Sequence, residues 1–302
     1  MDTLLLPARP TASFITSNTT GTSPAVSTCG RAGAVGGRWP AQPAQARSAV
    51  LVINLDHSTA RLAETRRQLE QLGLPFHRIP AVDGLALSAP ERSRCYDPGL
   101  NRLQFHKSLS DGEIGCYLSH LRAWQWIVDH DLDYALILED DVACGPELIA
   151  ALDCLEQLPP GWDLIKLGSF SRKPILATTS VDSFQLCRYL KPPISAFAQV
   201  VSRRAAEQLL RTRVPFGRPI DVDLQHPWET GLEVLGLEPY PVSFRPDVPS
   251  DIDRTKHRHR AASRRFACLW QRAAFLGHLW SGHLRRHGVG ALAAAAFPRR
   301  HR

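Results

Sequence analysis

The sequence predicts an α/β protein built on a largely parallel, doubly wound sheet, and three observations carry that prediction. Short apolar, β-branched runs alternate with amphipathic stretches of roughly 10–20 residues, the spacing of strands joined by crossover helices. One of those runs ends abruptly in three consecutive carboxylates, at the kind of strand end where open α/β sheets hold their ligands. The chain has 302 residues, 44% of them apolar and 22% charged, which supports one large core with appendages and excludes a fibrous or wholly disordered protein.

Residues 1–48 are mostly Thr, Ser, Ala, Gly and Pro without apolar periodicity, so they read as a disordered leader, or a misplaced start, with no function of their own. The folded pattern opens with the strand Val50-Leu51-Val52-Ile53-Asn54-Leu55, followed by a helical stretch over 58–72 that stops at Gly73. Residues 76–79 give a second short strand, ahead of the turn Ala81-Val82-Asp83-Gly84. Ser110 and Glu113 stand at capping-box spacing and start a helix. Along it Glu113, Cys116 or Tyr117, His120 and Trp124 fall near one face, and Ile114, Leu118, Leu121 and Val128 on the neighbouring one. The Glu113/His120 pair is unusual for a packing face, although a satisfied core histidine is the plainer reading. Tyr134-Ala135-Leu136-Ile137-Leu138 is a third strand, running into Glu139-Asp140-Asp141. A helix over 147–158, a strand over 162–167, a strand over 197–201 and a helix over 203–212 continue the alternation, and 220–244 is irregular with short strands. There is no internal repeat.

The net charge of +7 is unevenly distributed. Of 36 Lys and Arg, 12 lie in 254–302, which contains no acid, so residues 1–253 carry 24 basic against 29 acidic residues, a net of −5. An acidic body argues against nucleic acid as a partner, because a binder's basic stripe belongs on its fold. The seven cysteines are odd in number and include no C-x-x-C pair, which points to reduced, mostly buried thiols. The N-terminus lacks a secretory pattern, and no run reaches the roughly 18–20 apolar residues that span a bilayer. These features together predict a cytoplasmic protein.

Three adjacent carboxylates at a strand end can hold a hard divalent cation such as Mg²⁺ or Mn²⁺, which offsets their repulsion and bridges to phosphate. The alternative is a solvated acidic turn that caps the next helix.

Several of these motifs occur together in a known order. Ile53-Asn54-Leu55-Asp56 with Arg61, the Ala-Val-Asp-Gly turn, Gly112-Glu113-Ile114-Gly115-Cys116 with Leu118-Ser119-His120, and 136–142 are arranged as in glycosyltransferase family 25, which residues 49–250 resemble. That family includes bacterial lipooligosaccharide galactosyltransferases and procollagen galactosyltransferases. The resemblance implies a GT-A-like nucleotide-sugar fold, a UDP-sugar donor and transfer with inversion. It implies that Glu139 and Asp140 face the donor diphosphate, and that Asp141, with Asp140, ligates Mn²⁺ or Mg²⁺. His226, close in sequence to Asp221 and Asp223, is a further candidate to complete the metal shell. Asn54 and Arg61 would seat the nucleotide, Arg61 being otherwise a surface charge on a helix. Asp83 would meet uracil or ribose, and Ser119 and His120 join the donor-binding set. Glu113 joins the catalytic set with Asp221 or Asp223 of Pro219-Ile220-Asp221-Val222-Asp223-Leu224. The two Asp, on one face of a short strand, offer a general base for the acceptor hydroxyl or another metal contact, or else cap a helix.

One segment departs from the family. Where an Ala-Tyr-Ile-Ile-Ser strand is usual, this chain has Ala196-Phe197-Ala198-Gln199-Val200-Val201-Ser202, without the tyrosine and with an inserted glutamine, which suggests a changed acceptor or a weakened enzyme. In the tail, 251–302, apolar residues Phe266, Leu269, Trp270, Ala273, Leu276, Trp280 and Leu284 recur at helical steps among Arg and His. Such a basic amphipathic helix suits an anionic membrane surface, or docks on the domain by its apolar stripe. The cluster Lys256-His257-Arg258-His259-Arg260 suits acidic sugars or phosphates of an acceptor. With 31 Arg against 5 Lys, the composition suggests a GC-rich, bacterial genome. The expected function is therefore metal-dependent transfer of a sugar, galactose first among candidates, from a UDP-sugar to a lipid-linked lipopolysaccharide or lipooligosaccharide core, at the inner face of the cytoplasmic membrane. The alternative is a non-catalytic glycan- or membrane-binding protein on a decayed transferase fold.

Overall fold

A computed structural model describes residues 46–159, 161–171 and 173–245, together with positions 271, 275–278, 280, 281 and 284. The proposed leader, apart from 46–48, the 256–260 cluster and most of the tail lie outside the described residues.

In chain order the elements are β1 (Ser48–Asn54), α1 (Thr59–Gln71), β2 (His77–Pro80), α2 (Ala89–Cys95), α3 (Pro98–Gln104), α4 (Asp111–Asp129), β3 (Tyr134–Glu139), β4 (Val142–Cys144), α5 (Glu147–Glu156), β5 (Leu164–Lys166), β6 (Ile175–Val181), β7 (Phe184–Tyr189), β8 (Ala198–Ser202), α6 (Arg203–Thr212), α7 (Ile220–Asp223), α8 (Pro227–Thr230), β9 (Val234–Glu238) and β10 (Val242–Phe244). Eight strands form one sheet in the order β2-β1-β3-β8-β5-β9-β7-β6, and β4 pairs antiparallel with β10 in a small second sheet. Six of the eight strands run in one direction, and β7 and β8 are reversed. The strand expected as one more parallel unit over 197–201 is β8, which lies between β3 and β5 antiparallel to both.

Both faces of the sheet are covered, as a doubly wound fold requires. On β1 and β3, residues alternate with the period of a strand. Leu51, Ile53, Ala135 and Ile137 pack towards Ile114, Tyr117, Trp124 and Ile127 of α4 and Ala205, Ala206 and Leu209 of α6. Val50, Val52, Leu136 and Leu138 pack the other way, with Leu69 of α1 and Leu148, Ala151 and Leu155 of α5. Each such Leu, Ile or Val contributes about 1.5–3 kcal/mol by leaving water, which holds β1 and β3 and their carboxyl ends in place.

Local chemistry sets the helix starts. α4 begins with the capping box read from the sequence: Ser110 Oγ accepts from Glu113 N at 3.2 Å, and Glu113 Oε2 accepts from Ser110 N at 2.7 Å. Helices α2 and α3 and the β6–β7 hairpin were not foreseen. β6 is largely solvent-exposed and has no apolar alternation, so periodicity had nothing to detect there. Cys95, Cys116, Cys144, Cys154 and Cys187 are all free thiols.

The described positions of the tail, from 271 to 284, are helical. Phe275 lies edge-on to His226 and Trp228, while Leu276, Trp280 and Leu284 are exposed.

Candidate active site

β1, β2 and β3 are parallel neighbours, so their carboxyl ends open on one edge of the sheet, against the first turns of α4. A cleft of about 290 Å³ lies there, lined by Asn54, His57 and Arg61 after β1, 81–85 after β2, Gly112, Cys116, Ser119 and His120 of α4, and Glu139, Asp140 and Asp141 at the end of β3.

The wall formed by the Ala81-Val82-Asp83-Gly84 turn rests directly on α4. Ser119 Oγ accepts from Val82 N at 2.8 Å and donates to Gly115 O at 2.7 Å. A Cβ on Gly115 would stand 2.4 Å from Val82 O, and one on Gly84 would stand 1.7 Å from Asp111 O. Two glycines therefore allow backbone to meet backbone. Ser119, read as a donor contact, spends its hydroxyl on this clamp. Asp83 Oδ1 accepts from Leu85 N at 2.9 Å, an Asx turn that holds the carboxylate at the cleft.

The three acids are not equivalent. Asp140 is tied to the scaffold: Asn54 Nδ2 donates to its Oδ2 at 2.6 Å, Arg61 Nε is 3.5 Å from Oδ1, and Thr65 Oγ1 donates to its backbone carbonyl. Burial raises its pKa, opposed by Asn54 and Arg61. Asn54 also accepts from Arg78 Nε at 2.9 Å, so its amide is engaged on both sides. Asp141 is buried and its Oδ1 has no hydrogen-bond partner. Burial, then the charges of Glu139 and Asp140, push its carboxyl up to about 7. Glu139 is partly exposed, with Oε1 3.3 Å from His120 Nε2 and 4.0 Å from Cys116 Sγ.

Other sequence assignments are redistributed. Asp221 and Asp223 lie on the helical turn α7 rather than on a strand, because Pro219 O and Ile220 O accept from Asp223 N and Leu224 N. The two carboxylates therefore separate. Asp221 keeps electrostatic contact with Lys166, Glu139 and Glu113, its pKa raised chiefly by burial. Asp223 accepts from Tyr117 Oη at 2.5 Å and Arg218 Nη1 at 3.0 Å, with Arg213 Nε at 3.4 Å, and so belongs to a buried ion-pair network. His226 does not line the cleft with the acids. Its Nδ1 lies 2.9 Å from Val222 O, its ring packs on Trp228, and burial followed by the Arg218 charge depresses its pKa to about 4. Glu113 is committed to the capping box and is not among the lining residues.

Lys166 was not anticipated as a functional residue. It ends β5 fully buried, its Nζ donating to Ser195 O at 2.5 Å and Gln199 Oε1 at 2.7 Å. Gln199, which looked foreign to its strand, is the acceptor this ammonium requires. A lysine closing the apolar run Leu164-Ile165 was the available signal.

These features define an α/β protein whose parallel strands deliver carboxylates to one cleft. The sequence pattern of glycosyltransferase family 25 (LPS biosynthesis protein) matches residues 47–217, more than half of the chain, and the chain belongs to that family. A glycosyltransferase 25 family member of Drosophila pseudoobscura pseudoobscura is 37% identical over 100 residues, 32% of this chain and 16% of that protein. Procollagen galactosyltransferase 2 of Homo sapiens is 28% identical over 184 residues, 58% of this chain and 29% of that protein. Procollagen galactosyltransferase 1-B of Xenopus laevis is 30% identical over 187 residues, 58% of this chain and 30% of that protein. The chain thus spans less than a third of the length of these relatives. Among solved structures, a glycosyltransferase involved in glycosylation of the major capsid of PBCV-1 overlaps with a TM-score of 0.37 at 13% identity, covering 69% of this chain and 98% of that one.

Proposed function

We propose that this chain transfers a sugar from a UDP-sugar to a glycan hydroxyl with inversion, using a divalent cation. The observation that carries the reading is the cleft at the carboxyl edge of β1, β2 and β3, where a partly exposed Glu139 and a buried, unpartnered Asp141 carboxylate oxygen meet beside Arg61 and Asp83. Open α/β sheets take nucleotide ligands at this edge.

The residues present fit a hard cation. Glu139, Asp140 and Asp141 all line the cleft, Asp140 is held by Asn54 and Arg61, and the Asp141 oxygen is orphaned in a buried position where an unpaired charge is costly. Glu139 and Asp141 would hold the ion, with Asp140 as their neighbour, and His226 is no part of the set. When bound, such a cation stabilises negative charge on a departing diphosphate. Asn54 and Arg61 fix the Asp140 side of the cleft, and Asp83 presents a carboxylate to the nucleoside. Asp221 is not among the lining residues, but it interacts electrostatically with Glu139 of the cleft, and it receives the proton of the acceptor hydroxyl. The acceptor oxygen forms its bond to the anomeric carbon from one face, while the bond to the diphosphate oxygen breaks on the other and its electron pair leaves with UDP. The Lys166 ammonium, held by Gln199, favours the charged form of Asp221.

UDP-galactose as donor and a lipid-linked lipopolysaccharide or lipooligosaccharide core as acceptor are the substrates most consistent with the family description and with the galactosyltransferase relatives. No helix among the described residues is long and apolar enough to cross a membrane. The exposed Leu276, Trp280 and Leu284, at four-residue steps on a helix, support peripheral contact of the basic tail with the inner face of the cytoplasmic membrane. The test is a screen of UDP-sugars with Mn²⁺, reading UDP release. Turnover is expected with one donor and is expected to disappear in Asp141→Ala. A silent screen together with no metal-coupled UDP affinity by calorimetry overturns the reading.

A further inference from the structure

We propose that Cys116, His120 and Glu139 form a second cation site, sharing Glu139 with the first, for a thiophilic divalent cation of the Zn²⁺ class. Cys116 and His120 are four residues apart on α4, so they lie one turn above one another on the same face. Glu139, the last residue of β3, reaches that face from the sheet. The three ligand atoms lie within 4.8 Å of one another, with Oε1 of Glu139 3.3 Å from His120 Nε2 and 4.0 Å from Cys116 Sγ.

Bonds of about 2.0–2.3 Å in a tetrahedral zinc site place ligand atoms roughly 3.3–3.8 Å apart. The triad therefore needs only a small closing movement, which rotamer adjustment of Cys116 and Glu139 can supply. His120 is fully buried, its Nδ1 has no hydrogen-bond partner, and its polar neighbour is the Glu139 carboxylate. The Nε2 that faces Glu139 is the ligating atom, which leaves the ring proton on Nδ1. All three residues line the cleft, so a cation there has three protein ligands and a fourth position open to solvent or to an incoming oxygen.

The donor set separates this site from the one proposed at Asp141. A thiolate and an imidazole select Zn²⁺, Co²⁺ or Cd²⁺, whereas Mg²⁺ and Mn²⁺ prefer oxygen ligands. Glu139 is common to both sets, so a thiophilic ion here competes with the cation of the oxygen set. The site does not depend on the transferase reading, and its tests read binding and not turnover.

The first test is Co²⁺ titration of the full chain. It should show a near-ultraviolet thiolate-to-cobalt charge-transfer band saturating at one ion per chain. The band should vanish in Cys116→Ser, and Glu139→Gln should weaken binding by at least the roughly 10-fold that even outer-shell partners contribute. The second test uses the wild-type protein, so it holds even where a variant folds poorly: alkylation of thiols followed by peptide mapping. Zn²⁺ should slow modification of Cys116 about 10-fold or more, Mg²⁺ should not, and Cys144 should react at one rate throughout. A cobalt complex without a thiolate band, a band that survives Cys116→Ser, or equal alkylation of Cys116 with and without Zn²⁺ overturns the proposal.

Discussion

Replacing Gly115 by alanine tests whether the cleft wall is set by backbone contact. In an open helix interior this change stabilises by about 0.8–1.0 kcal/mol, because alanine loses less backbone freedom than glycine. Here the added methyl would meet Val82 O at 2.4 Å and Gly84 N at 2.8 Å, where ordinary contact begins at 3.4 Å. Both atoms belong to backbone and cannot rotate aside. The 81–84 turn must retreat by roughly 1 Å, stretching the Val82 N to Ser119 Oγ bond of 2.8 Å. Overpacking of this kind costs about 1–3 kcal/mol, and the rigid partner places it at the upper end, so the net effect is a loss of about 2 kcal/mol. For a domain of this size that lowers Tm by about 4–8 °C. Calorimetry should also show weaker binding of UDP, because the displaced turn carries Asp83. A Tm that stays constant or rises refutes the reasoning, since it means that the turn has room for a methyl group.

Four further outcomes follow from the same geometry. Asp223→Ala removes one carboxylate facing buried Arg218, which keeps Glu229 as its other partner, so denaturant unfolding should show a loss of about 1.5–3 kcal/mol; an unchanged midpoint would detach Asp223 from the ion-pair network. Asp221→Asn should fold normally and lose transfer to acceptor, while donor hydrolysis continues at the wild-type rate; transfer at the wild-type rate excludes it as the base. Removing divalent cation with a chelator should abolish metal-coupled UDP binding in the wild type and change nothing in Asp141→Ala, and calorimetry checks both arms. Burial holds Lys166 down to about 7 from an ordinary 10.5, so the unfolded chain binds more protons between those values and this residue makes stability rise with pH across that window. The stability of Lys166→Met relative to wild type should therefore be greater at about pH 6.5 than at about pH 9.5, and a pH-independent difference contradicts the assignment.

Much of the architecture was visible in the chain because local rules and global packing agree. Continuous apolar runs marked β1 and β3, which are buried on both faces, and Ser110 with Glu113 marked the start of α4. The hairpin of β6 and β7 escaped notice because its first strand is exposed, and the reversed direction of β8 because strand direction leaves no mark on hydrophobic period. At the site, the acidic run and the Ala-Val-Asp-Gly turn were recognised from motif order, whereas His226 was added from proximity in sequence alone. Asp221 and Asp223 were paired by assuming strand geometry, and a helical turn sends their side chains in different directions.

The sequence by itself determined the elements that hydrophobic period and capping specify, together with the family, because these depend on residues near one another along the chain. Only the tertiary structure decided what each polar group is bound to. Asp140 is tied to Asn54, 86 residues away, Asp223 to Tyr117, 106 residues away, and Lys166 to Gln199, 33 residues away. Whether a carboxylate is a scaffold tie or a free ligand depends on such distant partners and on the water excluded around them, and neither is encoded in local spacing.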